Sequence, residues 1–304
     1  MSLINRRDFL RLAAGFTLAG AAAGALAACG NSSTSESSSS ETAGATDMRV
    51  VALNTGQLDN LLELGILPVG AAKAKDADVI PQFIRDRYGK DFDLDSIADC
   101  GLRQNPDLEA IAALEPTLIC ANSRTDEAIL TQLRAIAEVV TGEGGGENWK
   151  QDLATIAQAV GKGDEANAKL KEYEDDAKAW GATLASVPTV SFLRSKDQQY
   201  QQYGVNSMAG SVAADAGLKR PENQQNIEKA GPDLSPEQLS EADADWIFYG
   251  VQDGDADPST ASTWPSLNAV KNNHAVKVDY EAWYMNASLL SATIILDGLK
   301  GALS

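Results

Sequence analysis

The chain has 304 residues, with 43 acidic against 25 basic side chains, a net charge of -18 and a single histidine. Phosphate backbones and anionic lipid surfaces repel such a body, which argues against nucleic-acid binding and against electrostatic adsorption to membranes. One histidine cannot build a typical zinc or manganese site, which draws on several imidazole and carboxylate ligands.

Arg6, Arg7 and Arg11 precede an apolar run from Phe16 to Ala28 that is too short to span a bilayer. Residues 1–28 therefore read as an export signal. "NRRDFL" resembles the twin-arginine export signal, and "LAAC" at 26–29 resembles the lipobox of bacterial lipoproteins, in which cleavage precedes the cysteine and its sulfur is acylated. Cys29 is the expected lipid anchor, placing the protein outside the cytoplasm and on the cell membrane by its lipid alone; a plain signal cut at Ala-x-Ala is the alternative. Removing Arg6, Arg7, Arg11 and Asp8 with the signal takes the net charge from -18 to -20. Residues 29–46, almost all Ser, Thr, Glu, Gly and Ala after Cys29, cannot bury enough surface to fold and read as a tether.

From residue 47 the pattern alternates strands with helices. "MRVVALN" (48–54) predicts a strand, "GQLDNLLELG" (56–65) an amphipathic helix closed by Gly65, and "LPVGAA" (67–72) a second strand. "PTLICA" (116–121), "PTVSFL" (188–193), "ADWIFYG" (244–250) and "AVKVD" (275–279) continue the series, so the fold class is α/β with parallel pairing and crossover helices. Cys100 and Cys120 each end an apolar run that could be a strand; they could be neighbours, as a disulfide or as two buried thiols.

Ala166, Leu170, Tyr173, Ala177, Trp180 and Leu184 recur at steps of 4, 3, 4, 3 and 4, which predicts one long helix over 164–184. Such a helix is longer than a crossover needs and reads as a strut joining two lobes, with a coiled-coil arm as the competitor. "NPDLEAIAALEPTLIC" (105–120) and "SPEQLSEADADWIF" (235–248) share a plan of cap (Asn105 or Ser235), proline, acidic first turn, short helix and strand, and Ser235 with Gln238 forms a capping-box pattern.

"GQLDNLLELGILPVGA", "NPDLEAIAALEPTLI", "LSPEQLSEADADWIFYG" and "WPSLNAVKNNHAVKVD", in that order, resemble segments of the substrate-binding proteins of iron-siderophore and vitamin B12 ABC importers. That resemblance implies two Rossmann-like lobes with mostly parallel sheets, joined by one long helix, the ligand in the cleft between them and little hinge closure. The divisions are 47–162 for the N-terminal lobe, 163–186 for the connecting helix and 187–304 for the C-terminal lobe. It also implies a monomer with no cofactor, no chemistry on its cargo, and docking to an ABC permease through one carboxylate per lobe, at positions matched by Glu109 and Glu237. Either carboxylate could equally be serving its helix dipole.

The expected cargo is a ferric siderophore, its iron liganded by the chelator; cobalamin or haem on the same fold is the alternative, and an exported α/β hydrolase a distant rival. An anionic chelate calls for cationic forks and aromatic planes, placed just beyond strand ends. Arg103, Arg124 and Arg194 follow apolar runs, Tyr249 ends one, and Trp283 and Tyr284 lie beyond "AVKVD". The resemblance favours Arg103 and Arg194 in particular. Tyr203, in "QQYQQYGVNS" (198–207), reads as part of a cleft-edge loop or an exposed hairpin. His274 reads as structural, and Trp264 as a helix-start anchor. "GVNSMAG" has the wrong spacing for a nucleophile elbow. "TGEGGGENWK" (141–150) lacks the Gly-Lys-Ser/Thr ending of a phosphate loop and reads as a flexible connection.

Overall fold

The computed structural model describes residues 48–75 and 77–303. The signal, Cys29 and the whole of the 29–46 tether lie outside the described residues. Strand β1 (Val50–Ala52) leads into helix α1 (Thr55–Glu63), β2 (Gly70–Lys73), α2 (Gln82–Tyr88), β3 (Ala98–Leu102), β4 (Asn105–Pro106), α3 (Leu108–Ala113), β5 (Leu118–Asn122), α4 (Glu127–Ile136) and β6 (Glu138–Gly142). Helices α5 (Trp149–Ala159) and α6 (Gly163–Gly181) then carry the chain to β7 (Val190–Lys196), β8 (Gln199–Tyr203), α7 (Met208–Asp215), β9 (Ala230–Leu234), β10 (Trp246–Gly250), α8 (Asn268–Lys271), β11 (Ala275–Lys277) and α9 (Leu289–Leu303).

The strands form two sheets, ordered β4-β3-β2-β1-β5-β6 and β11-β10-β7-β8-β9. In the first, all pairings are parallel except β3 with β4; in the second, β11, β10 and β7 are parallel while β8 and β9 add antiparallel. β1 reads as continuously apolar because both its faces are covered. Val50 and Ala52 join a large central core, whereas Val51 and Leu53 face a smaller cluster with Ile111 and Ile119. β7 divides the same way: Val190 and Phe192 point to the central core and Leu193 to a third cluster with Ile247 and Trp264. The central core thus draws on both halves of the chain, and the described residues form one compact unit.

α6 is unbroken over 19 residues, about 28 Å at 1.5 Å per residue. It starts one residue earlier and ends three earlier than the heptad-like spacing predicts, since Ala182, Thr183 and Leu184 leave the helix. Ala166, Tyr173 and Ala177 are its buried stripe, with Leu170 and Trp180 partly covered. Tyr173 packs edge-on against Trp149 of α5 at 5.3 Å and donates its hydroxyl to Asp215 of α7 at 3.0 Å. Lys150 of α5 bridges Glu174 at 2.7 Å and Asp215 at 2.9 Å. One helix is therefore tied both to the element before it and to an element of the second sheet's half.

Several local expectations are corrected. Asn105 and Pro106 pair antiparallel with β3, and Asp107 caps α3 instead, accepting from the amides of Glu109 and Ala110. The matching segment after Ser235 has the expected capping box with Gln238, but its helix, Pro236–Ala242, is 3-10 rather than α. Residues 199–203 are strand β8, which forms a hairpin with β7, the second of the two readings of this stretch, rather than a loop, and Tyr200 within it is buried rather than exposed. Cys100 on β3 and Cys120 on β5 are free thiols, separated by β2 and β1. Three strand intervals amount to about 14 Å, well beyond disulfide reach. Gly65, at φ +76°, closes α1 as expected.

Candidate functional site

β1 is where the first sheet changes direction: the chain goes to β2 on one side and to β5 on the other. The crevice at the carboxyl ends of two such strands is left open by the divergent crossovers, and it is where open α/β sheets hold ligands. A cavity of about 270 Å³ lies there. Asn54, Gln57 and Asn60 reach it from beyond β1, Arg103 from beyond β3, Asn122 and Arg124 from the end of β5, and Gly144–Gly146 from beyond β6. Across from them stand Tyr203, Asn206, Lys229, Trp283, Tyr284 and Asn286.

Arg103 is half-buried, and burial followed by the facing charge of Arg124 holds its guanidinium below the usual arginine range. A guanidinium depressed by a neighbouring cation is an unbalanced arrangement, one that an anion placed between the two would relieve. Arg124 is fixed by its neighbour: its backbone N–H and Nε both donate to Asn122 Oδ1, at 2.9 and 3.2 Å. The other charges lining the cavity are committed. Lys229 pairs with Glu147, and Asp152 accepts the amides of Glu143 and Gly144, both at 2.8 Å.

The glycine-rich stretch is therefore not a flexible connection. Gly144 has φ +68°, and a Cβ there would lie 2.0 Å from Asn122 Nδ2 and 2.6 Å from Arg124 Nη2. At that φ any side chain is strained, and its Cβ would push aside the Asn122 amide and the Arg124 guanidinium. Gly146 approaches the backbone of Met208 just as closely, at 2.0 Å for an added Cβ, so the loop also seats the start of α7. A glycine run beside a capping carboxylate could have signalled this; the absence of a phosphate-loop ending hid it.

Of the aromatic candidates, Tyr203, Trp283 and Tyr284 all line the cavity. Trp283 and Tyr284 are nonetheless 3% and 6% exposed, so each presents an edge while its body packs. Trp283 stacks on Phe248 at 5.4 Å, and Tyr284 donates its hydroxyl to the carbonyl of Phe248 at 2.7 Å. Tyr203 is held from behind by Arg220, a residue the sequence reading missed: buried, stacked on Phe192 at 4.5 Å, it donates Nη2 to the Tyr203 carbonyl and to Gln224. Burial lowers the Arg220 guanidinium to about 10.

Arg194 and Tyr249 stand elsewhere. β7 continues to Lys196, so Arg194 is inside a strand; its Nη2 donates to Gln201 at 2.9 Å and its guanidinium lies 5.0 Å from the Tyr203 ring centre. It lines a separate shallow recess with Tyr280 and Met285. Tyr249 is buried within β10, edge-on to Trp264 at 5.0 Å. Glu109 and Glu237 are exposed in the first turns of α3 and of the 236–242 helix, and the Ser235 hydroxyl holds Glu237 below the usual carboxylate range. His274 stacks on Trp246 at 4.0 Å, with Nδ1 3.0 Å from the Asp245 carbonyl. No group of three or more His, Cys, Asp or Glu suited to hold a metal ion occurs among the described residues.

A profile of the periplasmic binding protein family matches residues 50–282. The chain belongs to that family. This periplasmic binding protein is 32% identical over 269 residues to the probable siderophore-binding lipoprotein YfiY of Bacillus subtilis, covering 83% of this chain and 81% of the relative. It is 28% identical over 257 residues to the Fe(3+) dicitrate-binding periplasmic protein FecB of Escherichia coli, covering 81% and 82%. The crystal structure of Staphylococcus aureus SirA superposes with a TM-score of 0.71 at 27% identity, covering 84% of this chain and 98% of SirA. Family membership supports binding rather than catalysis and displaces the hydrolase reading. No helix among the described residues is long and apolar enough to cross a membrane.

Proposed function

We propose that this periplasmic binding protein captures a ferric siderophore outside the cytoplasm and delivers it to an ABC permease. The observation that carries the cargo is the Arg103–Arg124 pair, two facing cations at the mouth of β3 and β5 opposite an aromatic wall. An iron chelate with anionic oxygens fits it: at about 4 Å and an effective dielectric of 20, one guanidinium attracts a unit charge by roughly 4 kcal/mol. Salt screens the acidic remainder of the surface within about 8 Å, so the net charge of the body does not cancel this local pull.

Trp283 at the cavity edge supplies the readout. Titration with ferric citrate, ferrioxamine B, cobalamin and haem should quench tryptophan fluorescence with an iron chelate at micromolar concentration or below; response to cobalamin or haem alone would overturn the cargo. Twin-arginine export through Arg6 and Arg7, lipidation at Cys29 and the 29–46 tether complete the reading at the front end. Cys29→Ser should move the protein from the membrane fraction to the medium. Docking through Glu109 and Glu237 belongs to the same reading, supported by their exposure. Reversing both charges should abolish uptake without changing cargo affinity. The division into 47–162, 163–186 and 187–304 is part of it too, with α6 as the brace.

A further inference from the structure

The cleft continues past the arginine compartment. A second compartment of about 500 Å³ adjoins it and shares Thr55, Met285 and Asn286 with the first. It opens at the carboxyl ends of β2, β10 and β11, and its walls bring Asp253, Asp279 and Glu281 together against Lys75. Asp279 is partly engaged, accepting the Ala282 amide at 2.7 Å. Lys277, at the end of β11, is committed to Asp257 at 2.8 Å. Glu281 is half-buried, and burial, then the charges of Asp279, Asp78 and Asp253, push its carboxyl above the usual range. Carboxylates outnumber cations at this end, Asp253, Asp279 and Glu281 against Lys75, whereas cations outnumber carboxylates at the other, Arg103, Arg124 and Lys229 against Glu147 and Asp152.

The junction carries an independent sign of a ligand. Asn286 is 5% exposed and lines both compartments. Its Nδ2 donates to Asp59 at 2.6 Å and Ser291 at 2.9 Å, while its Oδ1 is buried with no partner. A buried acceptor left empty costs about 1–3 kcal/mol, and an N–H arriving with a ligand would satisfy it.

We propose that the cargo is two-ended, an anionic iron-chelating head set between Arg103 and Arg124, joined through an N–H at Asn286 to a protonated amine arm that lies against Asp253 and Glu281. The assignment rests on the siderophore reading and narrows it to chelators bearing a free amine. A chelate with a neutral or anionic tail would desolvate these carboxylates without compensating them.

The test uses the full chain and three ferric probes: citrate, citrate coupled through an amide to 1,3-diaminopropane, and the same amide with its terminal amine acetylated. The free amine should bind at least tenfold more tightly than its acetylated twin, and the double variant Asp253→Asn, Glu281→Gln should bring that ratio close to one while far-ultraviolet circular dichroism stays unchanged. Equal affinity of the two amides for the unaltered chain overturns this proposal and leaves the siderophore reading in place. Failure of all three probes to bind overturns the anionic-chelate reading and this one with it.

Discussion

Asp59, on the inner face of α1, is fully buried and bonded across the molecule to the start of α9: its Oδ2 accepts from Asn286 Nδ2 at 2.6 Å and from Ser288 Oγ at 2.7 Å. No cation among the described residues faces it, and burial pushes its carboxyl from 3.8 to about 8, against the opposing pull of those two donors. A carboxyl raised in the folded state keeps its proton when the unfolded chain has already lost it. Stability from this group is therefore intact below about pH 4, falls as pH rises from about 4 to about 8, and levels off above. At 1.36 kcal/mol per unit, the loss accumulated by pH 7 is roughly 4 kcal/mol, a large share of an ordinary domain's stability. Asp59→Asn keeps an oxygen for Asn286 and Ser288 but cannot ionise. Urea denaturation followed by circular dichroism at pH 4.5, 6, 7.5 and 9 should show the variant gaining on the unaltered chain by about 1.4 kcal/mol per unit up to pH 8. Titrating groups that do not interact with Asp59 cancel in that difference. Parallel stability profiles would refute the claim that Asp59 is neutral in the fold.

Arg103→Ala and Arg124→Ala should each weaken ferric citrate at least tenfold, about 1.4 kcal/mol, with the loss smaller at high salt for the exposed Arg124 than for the half-buried Arg103; isothermal titration at two ionic strengths reads both. Gly144→Ala places a methyl against Asn122 and Arg124 at φ +68° and should cost about 1–3 kcal/mol, a fall of several degrees in melting temperature, along with much of the chelate affinity. Burial raises the Cys100 and Cys120 thiols to about 11 and about 12. Both should therefore resist an aromatic disulfide reagent in the native protein at pH 8 and react together once guanidinium unfolds it.

The resistance of these thiols also marks a limit of reading along the chain. "DCGL" and "LICA" each announce a strand, but nothing local says that two others intervene, because strand order is set by crossovers that place β1 and β2 between them. Arg194 teaches the same lesson in the other direction. An apolar run seemed to end at Leu193, yet pairing with β8 and β10 carries the strand to Lys196 and turns the arginine toward Gln201 and Tyr203 instead of the main cavity.

What the amino-acid order determined alone is whatever has a short period or a local cap. The alternation of strand and helix, the stripe of Ala166, Tyr173 and Ala177 on one long helix, the capping box at Ser235 and the turn at Gly65 all follow from interactions within a few residues. The proposed export and anchoring likewise rest on one contiguous stretch, residues 6–29. The binding cleft is not: Asn54, Arg103, Arg124, Gly144, Tyr203 and Asn286 meet only because two sheets share a central core, and their sequence separations run past two hundred residues. Burial, mutual repulsion of like charges and close backbone approach are properties of that convergence. They decide which arginines line the cavity, why a glycine is favoured at 144, and why a carboxyl deep in α1 holds its proton.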